Sequence, residues 1–144
     1  MKLRTGQPWM SGADYGRSLS GFGVNLLVRA VAPAVAFHRS VLGATVVYED
    51  PDFAVIRHGS SEIMLHADHT YDHHPIRTRL GDKRGNGIEL RLHHTDPDAV
   101  EAAARLGGYD IMAPATDKGH GLREVFIVDR DGYIWVADRP RDPA

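Results

Sequence analysis

The sequence predicts an α+β fold built from two copies of one βαβββ module, and three observations carry that expectation. From Gly23 to Gly43 the chain reads GVNLLVRAVAPAVAFHRSVLG, a short alternating strand running into an amphipathic helix. From Gly87 to Gly108 it reads GIELRLHHTDPDAVEAAARLGG, the same two elements again. The interval between the opening glycines nearly equals that between the closing ones, so one unit is repeated.

In the first strand Val24, Leu26 and Val28 share one face and Asn25, Leu27 and Arg29 the other, because strand side chains alternate. The helix that follows is expected to begin near Pro33, whose fixed φ suits a first helical position, and to stop at Gly43. Its stripe of Val35, Phe37, Val41 and Leu42 needs an apolar surface to cover. Strands are then expected over Ala44–Tyr48, Phe53–Arg57 and Glu62–His66, separated by the turns EDPD and GSS.

In the second copy Ile88, Leu90 and Leu92 take the apolar face and Glu89, Arg91 and His93 the opposite one. Thr95 or Asp96 caps the helix, Pro97 opens it, and Gly107 with Gly108 ends it. A weak strand over Ile111–Ala115, interrupted by Pro114, leads to a loop over Thr116–Gly121. Glu124–Val128 and Tyr133–Ala137 form a closing hairpin around Asp131-Gly132. Trp135 faces the helix side as core, and His38, beside Phe37, is expected to be partly buried with a hydrogen-bonded ring nitrogen. His93 and His94 read as solvent-facing residues before the helix cap.

A length of 144 residues suits one domain, able to remove on the order of two thirds of its extended surface from water. With 42% apolar residues, 25% charged and a formal net charge of −2, nothing draws the chain to nucleic acid or an anionic membrane. The absence of cysteine excludes disulfides, thiolate metal sites and a cysteine nucleophile. No apolar leader and no membrane-length apolar run is present, which makes a cytoplasmic location the expectation. Walker loops, dinucleotide fingerprints and the Gly-x-Ser-x-Gly elbow are missing too.

The doubled module, with VAFHRSVLG closing its first helix and VDRDGYIWV at its last hairpin, resembles the vicinal oxygen chelate superfamily over about residues 22–138. That superfamily includes glyoxalase I, extradiol dioxygenases, fosfomycin resistance proteins and bleomycin-binding resistance proteins. The resemblance implies a curved, mostly antiparallel eight-stranded sheet around a cavity, with the helices outside. It implies one domain over 21–140, made of module one (21–67), a linker (68–86) and module two (87–140), after an N-terminal arm (1–20). It also implies a homodimer. The arm reads either as a loose segment or as one whose Trp9 docks on another surface, such as a second subunit or a protein partner.

Metal-dependent members of the superfamily take ligands from the first and last strands of each module. Those positions fall here on Gly23, Met64, Gly87 and Val136, which offer no adequate donor set for a divalent ion. The resemblance thus points to the branch that binds a ligand without transforming it: no metal and no cofactor, and a small organic molecule, an antibiotic among the candidates, as partner. Asn25, Met64, His66, Glu89 and Arg91 are expected to line the face opposite the helices. In the KGHGLRE loop, His120 is a candidate acid or base and Arg123 a candidate anion clamp, against a plain surface ion pair. The alternative is a lyase, isomerase or dioxygenase with its metal displaced to His66, Glu89 and Asp138. The linker histidines His69, His73 and His74, with Asp68 and Asp72, pose a second metal question, against a solvated loop. Whether the chain is an enzyme stays open at this point.

Overall fold

A computed structural model describes residues 1–142. Its eight strands form two four-stranded mixed sheets, and three α-helices accompany them. By internal contacts the chain divides into two compact units. The first comprises Met1–Arg39 and Gly43–Arg79; the second takes Ser40–Leu42 and the chain from Leu80 onward.

The first unit contains α1 (Gly12–Ser18), β1 (Asn25–Val28), α2 (Val31–Ser40), β2 (Thr45–Glu49), β3 (Phe53–His58) and β4 (Ser61–Ala67). Its sheet runs β1-β4-β3-β2, with β1 parallel to β4 and the other pairs antiparallel. Pro33 lies two residues inside α2 rather than at its start, still within the first turn, where its missing N–H breaks no helical bond. Gly43 at φ 67° turns the chain out of the helix, a backbone conformation that a side chain disfavours. Leu26, Leu65, Ala54 and Ile56 occupy one face of the sheet and are buried. The register places Asn25, Met64, His66, Phe53 and Val55 on the other.

The stretch after β4 is not one long loop. It forms two short 3-10 turns, Asp68–Tyr71 and Pro75–Arg79.

The second unit repeats the order as β5 (Leu90–Leu92), α3 (Pro97–Leu106), β6 (Asp110–Asp117), β7 (Leu122–Val128) and β8 (Ile134–Pro140), with sheet order β5-β8-β7-β6. Asp96 caps α3 through the amide of Asp98, Pro97 opens it, and Gly108 at φ 72° follows it, all as the sequence predicts. β6 runs on through Pro114 to Asp117, longer than expected, because the sheet absorbs the missing N–H in a register shift between Ala113 and Thr116. Trp135 is buried and donates Nε1–H to Asp129 Oδ2 at 3.0 Å, so the indole is core. His94 holds a positive φ of 52° just before the α3 cap.

Among the described residues, no helix is long and apolar enough to cross a membrane.

Candidate functional site

The N-terminal arm is the element the sequence reading under-specified. Residues 12–18 form α1, capped where Ser11 Oγ accepts from Asp14 N at 3.0 Å and donates to Asp14 Oδ2 at 2.8 Å. This Ser-x-x-Asp arrangement is a capping-box pattern legible in the sequence, and it was the signal available for the helix. The arm then lies on the open face of the first sheet. Trp9 stacks on Tyr48 with ring centroids 4.3 Å apart and lies 6.2 Å from Phe53, while Tyr15 meets Phe53 edge-on at 6.0 Å. Trp9 therefore docks within its own chain.

Asp52 fixes the start of the arm. Its carboxylate, 2% exposed as a residue, accepts from Leu3 N at 2.7 Å and Arg4 N at 3.1 Å, and meets His69 Nε2 at 2.7 Å. Burial alone would raise its pKa; the His69 contact and the two amides together outweigh that and hold it below the usual carboxylate value.

Between arm and sheet lies a cavity of about 390 Å³, with Arg4, Trp9, Tyr15, Phe53, Met64 and His66 in its wall. A neighbouring cavity of about 520 Å³ shares Tyr15, Leu19 and Met64, and is otherwise bordered largely by glycine and serine backbone before β1 and after β3. His66, in the wall of the smaller one, belongs to a connected chain of polar side chains. His66 Nδ1 lies 2.5 Å from Asn25 Oδ1, and Asn25 Nδ2 donates to Tyr71 Oη at 2.6 Å. An amide oxygen can only accept, so the contact runs from His66 Nδ1–H to Asn25 Oδ1. Phe53 packs against the imidazole at 4.7 Å. Burial lowers the His66 pKa, with the charge of Asp50 opposing in part. Burial therefore favours the uncharged ring.

The corresponding face of the second sheet is filled by charge. Arg91 donates Nη1 to Glu89 Oε2 at 2.9 Å, Nη2 to Glu124 Oε2 at 2.5 Å and Nε to Asp138 Oδ2 at 3.1 Å. Glu124 and Asp138 are 5% and 2% exposed, so the guanidinium neutralises two buried carboxylates. Burial works against the Arg91 charge, but the three carboxylates together push its pKa up. His93 Nδ1 adds a contact to Asp138 Oδ1 at 2.9 Å while most of its side chain stays in solvent.

The expected site residues therefore fall into three sets. Asn25, Met64 and His66 are joined on the first sheet. Glu89 and Arg91 are joined on the second, with His120 Nε2 3.6 Å from Glu124 Oε2 and its side chain more than half exposed. Arg123 stands apart, on the α3 side of its sheet, where it grips Asp98 bidentately at 2.7 and 2.9 Å and reaches Asp117. Its donors are engaged by protein carboxylates.

The residues do not fit a divalent ion. The inherited positions carry Gly23, Met64, Gly87 and Val136, and the carboxylates Glu89 and Asp138 of the displaced alternative are both bonded to Arg91. In the linker, His69 is held by Asp52, and His74 Nδ1 accepts from Ile76 N at 3.1 Å. Among the described residues no group of three or more His, Asp or Glu side chains is arranged to hold a metal.

Residues 23–137 match the family model described as Glyoxalase/Bleomycin resistance protein/Dioxygenase superfamily. Several solved structures share the fold at low identity. A glyoxalase/bleomycin resistance protein/dioxygenase family enzyme from Burkholderia phytofirmans PsJN superposes with TM-score 0.68 at 16% identity, covering 82% of this chain and 96% of its own. TioX from Micromonospora sp. ML1 gives 0.62 at 20%, with 87% and 99% covered. The genomically encoded fosfomycin resistance protein FosX from Listeria monocytogenes gives 0.62 at 16%, with 85% and 95% covered. No curated protein matches the sequence.

Proposed function

The chain belongs to the glyoxalase/bleomycin resistance protein/dioxygenase superfamily, and from that premise we propose that it binds and sequesters a small planar organic molecule, without a metal ion, on the open face of its first sheet. The observation that carries this reading is the cavity of about 390 Å³ walled by Trp9, Tyr15, Phe53, Met64 and His66. Its volume is in the range that takes a ligand of two or three rings. Aromatic walls contribute stacking at low entropic cost, because each ring has few torsions to freeze and Trp9 is already held against Tyr48. The poor match between the donor set and a divalent ion supports binding over metal-assisted turnover. An antibiotic is one such ligand, as the resistance proteins of the same superfamily suggest. The expected homodimer belongs to the same proposal; Phe22, 93% exposed, is an apolar side chain that a second copy would cover.

The test is a titration of untagged protein, dialysed against a chelator, with 2-naphthoate, followed by tryptophan fluorescence and calorimetry. Saturable one-to-one binding that Trp9→Ala weakens at least tenfold is expected. Binding that appears only after divalent metal is restored, or that ignores Trp9→Ala, contradicts the reading.

A further inference from the structure

Most polar groups around this cavity are already spoken for. Asp50 Oδ1 accepts from the amides of Asp52 and Phe53 at 2.7 and 2.8 Å, and its Oδ2 accepts from Tyr48 Oη at 2.7 Å. Asp52 is consumed by Leu3, Arg4 and His69. Both carboxylates have their lone pairs engaged by the protein, though each keeps its negative charge.

Three groups differ. Lys2 and Arg4 border the cavity, and their side chains make no hydrogen bond or ion pair among the described residues. His66 has one nitrogen fixed by Asn25, and its Nε2 has no hydrogen-bond partner among the described residues. The Tyr71–Asn25–His66 chain decides what Nε2 can be. Asn25 Oδ1 can only accept, so the His66 nitrogen facing it carries the proton, and a neutral imidazole protonated at Nδ1 carries a bare lone pair at Nε2. Because burial keeps the ring neutral, Nε2 is an acceptor and not a donor at pH 7. A guest that fits brings a proton donor to that point, and Lys2 and Arg4 favour negative charge on their side.

We propose that His66 is the specificity-determining acceptor of this cavity, taking a hydrogen bond through Nε2 from a ligand hydroxyl, and that the occupant is a hydroxyl-bearing aromatic anion. The inference rests on the aromatic-cavity reading above and adds the polarity of the ligand's two ends. Asn25 is a positioning residue: it sets the tautomer and orientation of the ring without reaching the guest. A methyl ether at the same place on the ligand would set an oxygen lone pair against the Nε2 lone pair, and the site would reject it.

Three probes decide the matter: a naphthalenecarboxylate with a hydroxyl on the far ring, its methyl ether, and unsubstituted 2-naphthoate. Calorimetry on the wild-type chain is expected to show the hydroxy compound binding about tenfold tighter than the other two. His66→Phe should erase that preference, and His66→Gln, whose Oε1 accepts a hydrogen bond, should restore part of it. Nitrogen-15 NMR of the His66 ring should report Nδ1 protonated and Nε2 bare. Equal binding of all three probes by the wild type, a preference that survives in folded His66→Phe, or an Nε2-protonated ring overturns this inference and leaves the aromatic cavity standing. Failure of all three probes to bind overturns both. Should His66→Phe fail to fold, the wild-type comparison alone decides.

Discussion

The two open sheet faces are built by the same repeated module and do opposite things with their polar groups. On the second sheet Arg91 on β5 meets Glu124 on β7 and Asp138 on β8, and the charges satisfy one another. On the first sheet the equivalent face carries a neutral imidazole, an amide and aromatic rings, with an arm laid across it. Repetition thus fixes where strands lie and which positions share a face, while chemistry is set by whether the side chains there close on themselves. The second face closes on itself through its arginine. The first is left with an imidazole and a cavity.

The largest expected effect breaks the closed face. Arg91→Ala leaves Glu124 and Asp138 buried without their cation, and should cost about 3–5 kcal/mol in urea unfolding. Binding of 2-naphthoate at the first sheet should survive in the folded fraction. A loss of binding with stability intact would place the ligand on the second sheet instead.

The next effect comes from acid. His38 of α2 is 2% exposed, and its Nδ1 lies 3.0 Å from His58 Nε2. Burial, with a smaller contribution from His58, pushes the His38 pKa down to about 3, and burial takes that of His58 to about 4. In the unfolded chain both titrate near 6.5, so the unfolded state takes up protons first as pH falls. Their contribution to stability is whole above pH 6.5 and declines below it, by about 1.4 kcal/mol per pH unit for His38, until the folded-state pKa is reached. Unfolding free energies from urea titrations between pH 7 and 5 should fall, with His58 adding to the share of His38, and His38→Gln should make the fall shallower without abolishing it. An acid-insensitive wild type would contradict the assignment.

Much of the fold was legible because its signals are local. Gly43, Gly108, Pro97 and the Asp131-Gly132 turn act through the backbone of their own neighbours, and the strands alternate visibly. The site was legible only face by face. Alternation set Asn25 and Arg91 apart from the apolar positions of their strands, but their partners come from far along the chain: His66 is 41 residues from Asn25, and Asp138 is 47 from Arg91. Neither distance has a local signature. The docking of Trp9 on Tyr48 was hidden for the same reason, although the Ser11–Asp14 cap announced the helix that aims it.

Arg123 sharpens the contrast with the smallest effect. Because its donors are taken up by Asp98 and Asp117 near the surface, Arg123→Ala should leave naphthoate affinity unchanged, and calorimetry checks this directly. A clear loss of affinity would restore it as the anion clamp that the sequence suggested.

The most direct measurement is a nitrogen-15 and methyl NMR titration of chelator-treated protein with 2-naphthoate. The account predicts that shifts concentrate on Trp9, Phe53, Met64 and His66, while Arg91, Glu124 and Asp138 stay put. Shifts centred on Arg91 and its carboxylates, or none until zinc is added, would contradict it.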